Sequence, residues 1–529
     1  MKRRNFLKLM GAGAAVAGMR PMYVSAQSGK TLRYIASSDL AILDPVASTA
    51  YSTRNHAFMV YDTLYGLDSS FKPSPQMLEG HEVDKDGKSW TLKLRDGLFW
   101  HDGEKVLARD CVASIERWGK KDVLGSALMA STDKLSATDD RTIQFKLKKP
   151  FPLLPDALAK VASPICVMMP ERLAKTDPGQ AVTEVVGSGP FRYIQDARVP
   201  GALNVYRKFD KYKPRSDGKS DWTAGPKVVY FDEVRWTTIT DIATATAALQ
   251  NGEQDWLEIV NADMLTLVRK AKGVTTKVLD VSGEMTMLQI NHLQPPFNNV
   301  AIRRAFWGAI NQKELMQAVV GANDSLYQVP LGYFAPNSPM ANNAGIEVLA
   351  KPSDLNKVKA DLASAGYKGE KVVLIVAAEN PTYKALGDVL ADTMRKVGMN
   401  VDYVATDLAT LFARRKSKDS SDQGGWSAFV TAWGGLDWLN PAVHVTLRSN
   451  GPDAYAGWAD IPKIVQLRER WFDAPDVAAQ KKICEEIQAA AFESVPFYPL
   501  GKYLKSTAYR DNITNVGSGF PMFWGVRPS

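Results

Sequence analysis

Residues 89–118 read SWTLKLRDGLFWHDGEKVLARDCVASIERW. Trp90, Leu92 and Leu94 alternate with Thr91, Lys93 and Arg95, the two-residue period of a strand with one face in the core. Asp96-Gly97 and Asp102-Gly103 are turn dipeptides, because Gly accepts φ > 0 and Asp bonds its own backbone. From Leu107 the period changes: Leu107, Cys111, Ile115 and Trp118 recur at helical spacing, with Arg109, Glu116 and Arg117 off that stripe. The stretch therefore reads as strand, turn, short strand, turn, amphipathic helix. It holds no phosphate loop, metal spacing or nucleophile elbow.

The run LKLRDGLFWHDGEKVLARDCVASIERW closely resembles the signature of the extracellular solute-binding proteins of family 5, receptors for peptides, nickel complexes, opines and related solutes that serve ABC importers. The family pattern is close to LR-D-G-x-x-F-H-D-G-x-x-x-x-A-x-D-V-x-x-S. Here Phe99-Trp100 precedes His101, and Cys111 stands where Val is usual. The resemblance implies an α/β, bilobal periplasmic-binding-protein fold of class II, cluster C type, with an extra subdomain in the first lobe. It also makes His101-Asp102 part of a scaffold and not a catalytic pair.

Composition agrees with a soluble globular chain. At 529 residues and 58.1 kDa the length suggests about two or three domains. The net charge of +8 suggests nucleic acid, but Lys2, Arg3, Arg4, Lys8 and Arg20 lie in residues 1–26 without an acid, so the remainder carries +3. No basic run interleaved with aromatics follows, so a nucleic-acid partner is not expected. Cys111, Cys166 and Cys484 lie far apart and read as small buried residues.

Residues 1–26 read as a twin-arginine export signal. Lys2-Arg3-Arg4-Asn5-Phe6-Leu7-Lys8 fits R-R-x-F-L-K, a short apolar stretch follows, and Val24-Ser25-Ala26 offers small residues for cleavage before Gln27. No cysteine lies near that point for a lipid anchor. The expectation is a soluble periplasmic protein exported already folded.

Lobe I is expected at 27–285 plus 498–529, with the extra subdomain at about 52–186, and lobe II at 286–497. Several other passages resemble family elements: Leu43-Asp44-Pro45 before a small-polar loop, Gly187-Ser188-Gly189-Pro190-Phe191, and Pro295-Pro296-Phe297 leading to Val300-Ala301-Ile302-Arg303-Arg304-Ala305. Pro496-Phe497-Tyr498-Pro499-Leu500 is similar to the passage where the chain returns to lobe I. Residues 372–376 form a continuous apolar run. Asn380-Pro381 caps a helix carrying Leu386, Val389, Leu390 and Val397, and a strand begins at Val401. Such a unit implies a parallel pair with a right-handed crossover. The run 428–433 ends in Gly434-Gly435-Leu436-Asp437-Trp438, and ligands in open α/β sheets lie beyond strand carboxyl ends.

Enzyme signals are weak. The five histidines are scattered, and neither G-x-S-x-G nor a P-loop is present. No cofactor or metal is expected. A secreted hydrolase would need a carboxylate pair about 5–10 Å apart across a cleft. In the resembling peptide receptors an Asp after a Trp-Gly strand end takes the ligand ammonium, and Asp437 matches it, one place further on than the pattern. Trp433, Trp438 and Tyr51 are candidates to stack on or shield a ligand, with core packing as the competing role; Thr49 is a weaker candidate. Dipeptide receptors also carry an Arg that clamps the ligand carboxylate; Ala377 or Ala378 occupies that place here. A longer peptide, an amine-bearing solute or a sugar-like opine all stay open. The expected partners are that solute and an inner-membrane ABC permease, with the receptor a monomer.

Overall fold

Most of the strand-forming runs find their places in two large sheets. The computed structural model describes residues 30–350 and 354–529, so the export signal read in 1–26 lies outside the described residues. The first sheet has seven strands in the spatial order Val274–Val278, Ser506–Arg510, Trp256–Val260, Thr31–Ala36, Glu233–Thr238, Leu203–Lys208, Phe191–Tyr193. Thr31–Ala36 runs parallel to both of its neighbours. The second sheet has six strands, ordered Tyr327–Gln328, Phe497–Tyr503, Glu284–Ile290, Ala428–Gly434, Lys371–Ala377, Asn400–Thr406.

The strand–helix–strand unit forms as its pattern predicts. Lys371–Ala377 lies parallel to Asn400–Thr406 and to Ala428–Gly434. Asn380 accepts the Tyr383 backbone N–H and Pro381 opens the helix Pro381–Lys396. Leu386, Leu390 and Met394 of that helix are buried, and so is every residue of the strand from Val372 to Ala377.

The stretch 89–118 also behaves as read. Ser89–Leu94 is an inner strand of a four-stranded antiparallel sheet with Leu78–Val83, Thr142–Leu147 and Thr132–Ala137. Its Trp90, Leu92 and Leu94 are buried while Lys93 is exposed. The helix Ala108–Gly119 buries Cys111, Ile115 and Trp118. Asp110 satisfies its first turn by accepting the Leu107 N–H at 2.8 Å. All three cysteines are free and buried.

Two features differ from the sequence reading. Arg117, placed off the helix stripe, is buried and makes a bidentate pair with Asp44 of the Leu43-Asp44-Pro45 motif, at 3.1 and 2.6 Å. The helical period cannot show it, because the partner lies outside the helix. The return to lobe I, drawn at 498, falls later: Phe497–Tyr503 pairs antiparallel with Glu284–Ile290 inside the second sheet. Its proline is tolerated because the register shifts between Thr286 and Met287, and Pro499 stands opposite Met287 at that irregularity. The chain thus passes between the two large sheets at 279–283 and again at 504–505. The result is a bilobal α/β fold, with the four-stranded sheet an addition to the first lobe.

Candidate functional site: the cleft between the lobes

Ala428–Gly434 runs along the second sheet and ends at the lobe boundary, where Gly435–Trp438 makes a tight turn. The glycines are required by close approach. A Cβ on Gly434 would sit 2.6 Å from the Tyr51 hydroxyl, and one on Gly435 would lie 2.4 Å from the Ser282 carbonyl oxygen. Tyr51 begins the helix Tyr51–Val60 of lobe I. Its hydroxyl donates to Asp437 Oδ2 at 2.6 Å and accepts the Gly434 N–H at 2.7 Å. One phenol therefore joins the two lobes.

The electrostatics of this contact follow from burial. Burial pushes the Asp437 carboxyl up; the Tyr51 hydrogen bond and the positive charges of Lys160 and Arg54 oppose that rise. Burial, with the nearby charges of Asp437 and Glu284, holds the Tyr51 phenol well above its ordinary value, so it remains the donor. Asp280, at the first crossing, is also raised by burial and accepts the Ser282 N–H at 2.8 Å. At the second crossing Lys505 donates to Glu284 Oε1 at 2.7 Å. Burial alone would lower that ammonium, but the Glu284 carboxylate outweighs it and the Lys505 pKa is raised.

Arg54 was not singled out in the sequence. Its guanidinium lies 4.7 Å from the centres of both the Tyr51 and Phe520 rings. It is 7% exposed and donates through Nε and Nη2 to Asn55 Oδ1 at 3.2 and 3.1 Å. Among the described residues it has no carboxylate within ion-pair distance. The available signal was spacing: three residues after Tyr51 on a helix, Arg54 shares its face.

The other candidates separate. Trp433 is half-buried, edge-on to Tyr455 at 5.5 Å between ring centres, and its buried Nε1 has no hydrogen-bond partner among the described residues. Trp438 points into lobe II, stacked on His444 at 4.7 Å and packed on Phe497 at 5.3 Å. Thr49 is exposed at the start of the helix. Ala377 is buried at its strand end, and the Ala378 N–H bonds the Thr406 carbonyl at 2.9 Å, so this corner presents backbone and methyl groups. Beside the turn, Leu436 and Leu439 line a cavity of about 250 Å³ whose other walls include Leu153 and Val161 of lobe I. Among the described residues no cluster of three or more His, Cys, Asp or Glu is arranged to hold a metal ion. No helix among them is long and apolar enough to cross a membrane.

Two α/β lobes joined by two short crossings, with an acid, a phenol and a guanidinium gathered between them, form the architecture of a two-lobed binding protein. Comparison with known sequences agrees. The chain belongs to the bacterial extracellular solute-binding proteins, family 5, whose "family 5 Middle" description matches residues 72–454. It is 34% identical over 535 residues to a probable peptide ABC transporter periplasmic-binding protein of Sinorhizobium fredii, covering 100% of this chain and 99% of that one. Among solved structures, a dipeptide binding protein from Pseudoalteromonas sp. SM9913 in complex with Met-Leu superposes with a TM-score of 0.77 at 18% identity, covering 94% of this chain and 100% of that one. The periplasmic binding protein AgaA of A. tumefaciens R10 in complex with agropinic acid superposes with a TM-score of 0.73 at 22% identity, covering 94% and 99%.

Proposed function

We propose that this protein is the periplasmic receptor of an ABC importer, capturing a peptide or peptide-like small solute between its lobes and delivering it to an inner-membrane permease. The observation that carries this reading is the Tyr51–Asp437 contact, which couples closure of the lobes to the acid that would receive a ligand's positively charged nitrogen. Water excluded by closure lowers the local dielectric and strengthens that pairing. Arg54, buried and without a carboxylate partner among the described residues, is a cation available to a ligand's anionic or acceptor group in place of the arginine missing at Ala377-Ala378. The receptor works as a monomer without a cofactor, and no catalytic step is asked of the site. The sequence Lys2-Arg3-Arg4-Asn5-Phe6-Leu7-Lys8 supports export by the twin-arginine route to the periplasm.

A second reading, a non-peptide solute such as an opine or amine, is favoured by one observation: the dipeptide carboxylate clamp has no counterpart at Ala377-Ala378. Native purification from the periplasm, denaturation and mass spectrometry of what is released distinguish the two. Recovered peptides support the first reading, and a recovered non-peptide amine or opine replaces it with the second. A protein that releases nothing and binds no member of a peptide and amine library contradicts both.

A further inference from the structure

The cavity beside the Gly435–Trp438 turn has walls from both lobes. Leu153, Val161 and Ala162 face it from lobe I, and Leu436, Leu439 and Val443 from lobe II. At about 250 Å³ it falls below the roughly 300–1,000 Å³ of pockets that hold a whole drug-sized ligand, so it suits one side group of a solute. Its lining is mainly apolar, but each lobe adds a carboxylate. Asp156 comes from the short helix Leu154–Leu158, and Asp476 from the start of the helix Val477–Ser494.

The charges in this lining are unequally satisfied. Lys160 is committed elsewhere, donating to Asp122 Oδ2 at 2.5 Å and to the Pro164 carbonyl at 3.1 Å. Asp476 caps its helix by accepting the Ala479 N–H at 2.8 Å. Asp156 has no cation or side-chain donor among the described residues. A carboxylate in an apolar pocket without a counter-charge is costly, and a cationic group entering the pocket removes that cost.

We propose that this cavity is a second recognition pocket of the receptor, taking a compact apolar group that carries a positively charged nitrogen at its tip, with the nitrogen seated against Asp156. The pocket rests on the receptor reading above and narrows its solute to one with an apolar, basic side group. Because its walls come from both lobes, filling it favours closure as the central acid does. Burial pushes the Asp156 carboxyl up to about 6. Binding of the cation therefore weakens as pH falls through that range, with Lys160 and Asp476 the other charged groups facing the pocket.

The test uses two probes of matched shape, 2-phenylethylammonium and neutral 2-phenylethanol, titrated by calorimetry into wild type, Asp156→Asn and Asp437→Asn at pH 7.5 and pH 5. The melting temperature of each free variant checks that it folds. Wild type is expected to bind the amine about tenfold or more tighter than the alcohol at pH 7.5, with the preference shrinking at pH 5. Asp156→Asn should lose most of the preference, and Asp437→Asn should keep most of it. If Asp156→Asn keeps the preference and Asp437→Asn loses it, the amine sits at the central acid; the pocket proposal falls and the receptor reading stands. If wild type binds neither probe, the pocket proposal also falls, and the receptor reading is judged by the solute released from native protein.

Discussion

Tyr51 and Asp437, 386 residues apart in sequence, meet across the interlobe cleft in a 2.6 Å hydrogen bond. The same phenol oxygen accepts the Gly434 N–H, so a single side chain of lobe I reads both the strand end and the turn of lobe II. A hydrogen bond to a charged group contributes about 1.5–3 kcal/mol. Tyr51→Phe is therefore expected to shift the unliganded protein toward separated lobes by about ten- to a hundredfold. A larger radius of gyration in small-angle scattering, with an unchanged circular dichroism spectrum, would show it. An unchanged radius would mean that the lobes are held by other contacts.

A different pair holds lobe I together. Asp44 accepts N–H groups from Arg117 Nη1 and Nη2 and from the backbone of Val46 and Val182, and both of its side-chain oxygens are withdrawn from water. Removing one partner leaves the other charge buried, a loss of about 3–5 kcal/mol. Asp44→Ala and Arg117→Met should each lower the denaturant midpoint by a comparable amount, and the double variant should cost less than the sum of the two. Additive effects would show that the two residues are not coupled.

Four histidines are held neutral. Burial lowers His56, His292 and His444 from 6.5 to about 3, and His101 to about 4. Their folded values lie below the unfolded one. Their contribution to stability is therefore complete above pH 6.5 and is lost as pH falls toward 3–4, at up to about 1.4 kcal/mol per pH unit for each. The raised carboxyls of Asp156, Asp280 and Asp437 act in the opposite sense, their burial cost being relieved as they take up protons. Titration by NMR should show these four imidazoles unchanged between pH 8 and pH 5; a midpoint near 6.5 in any of them would place that ring in water.

What could be read from sequence depended on how local the signal is. The strand and helix of 89–118 and the unit from Lys371 to Thr406 declare themselves because period and caps are properties of neighbouring residues. The Arg117 pairing is not local: its partner lies 73 residues away. Phe497–Tyr503 is obscured by its proline, and only the register irregularity opposite Pro499 explains why a strand is tolerated there. In the candidate site, Asp437 was suggested by family resemblance and Tyr51 as an aromatic that stacks on or shields a ligand, and the fold brings them into contact through a hydrogen bond. Trp438, next in the chain, turns the other way because the tight turn at Gly435–Trp438 directs successive side chains to different sides. Arg54 was missed because a lone arginine on a helix reads as a solvated charge until the rings of Tyr51 and Phe520 are seen to cover it.

The most direct test of the account is the affinity of the solute recovered from native protein, measured by calorimetry and by thermal melting on wild type and Asp437→Asn. Binding to the native state raises the melting temperature in proportion to RT ln(1 + [L]/Kd). The account predicts a solute with a positively charged nitrogen and a loss of tenfold or more in affinity when Asp437 becomes Asn, with the upshift in melting temperature reduced to match. A solute that binds both proteins equally would contradict it, because the acid held by Tyr51 between the lobes would then play no part in capture.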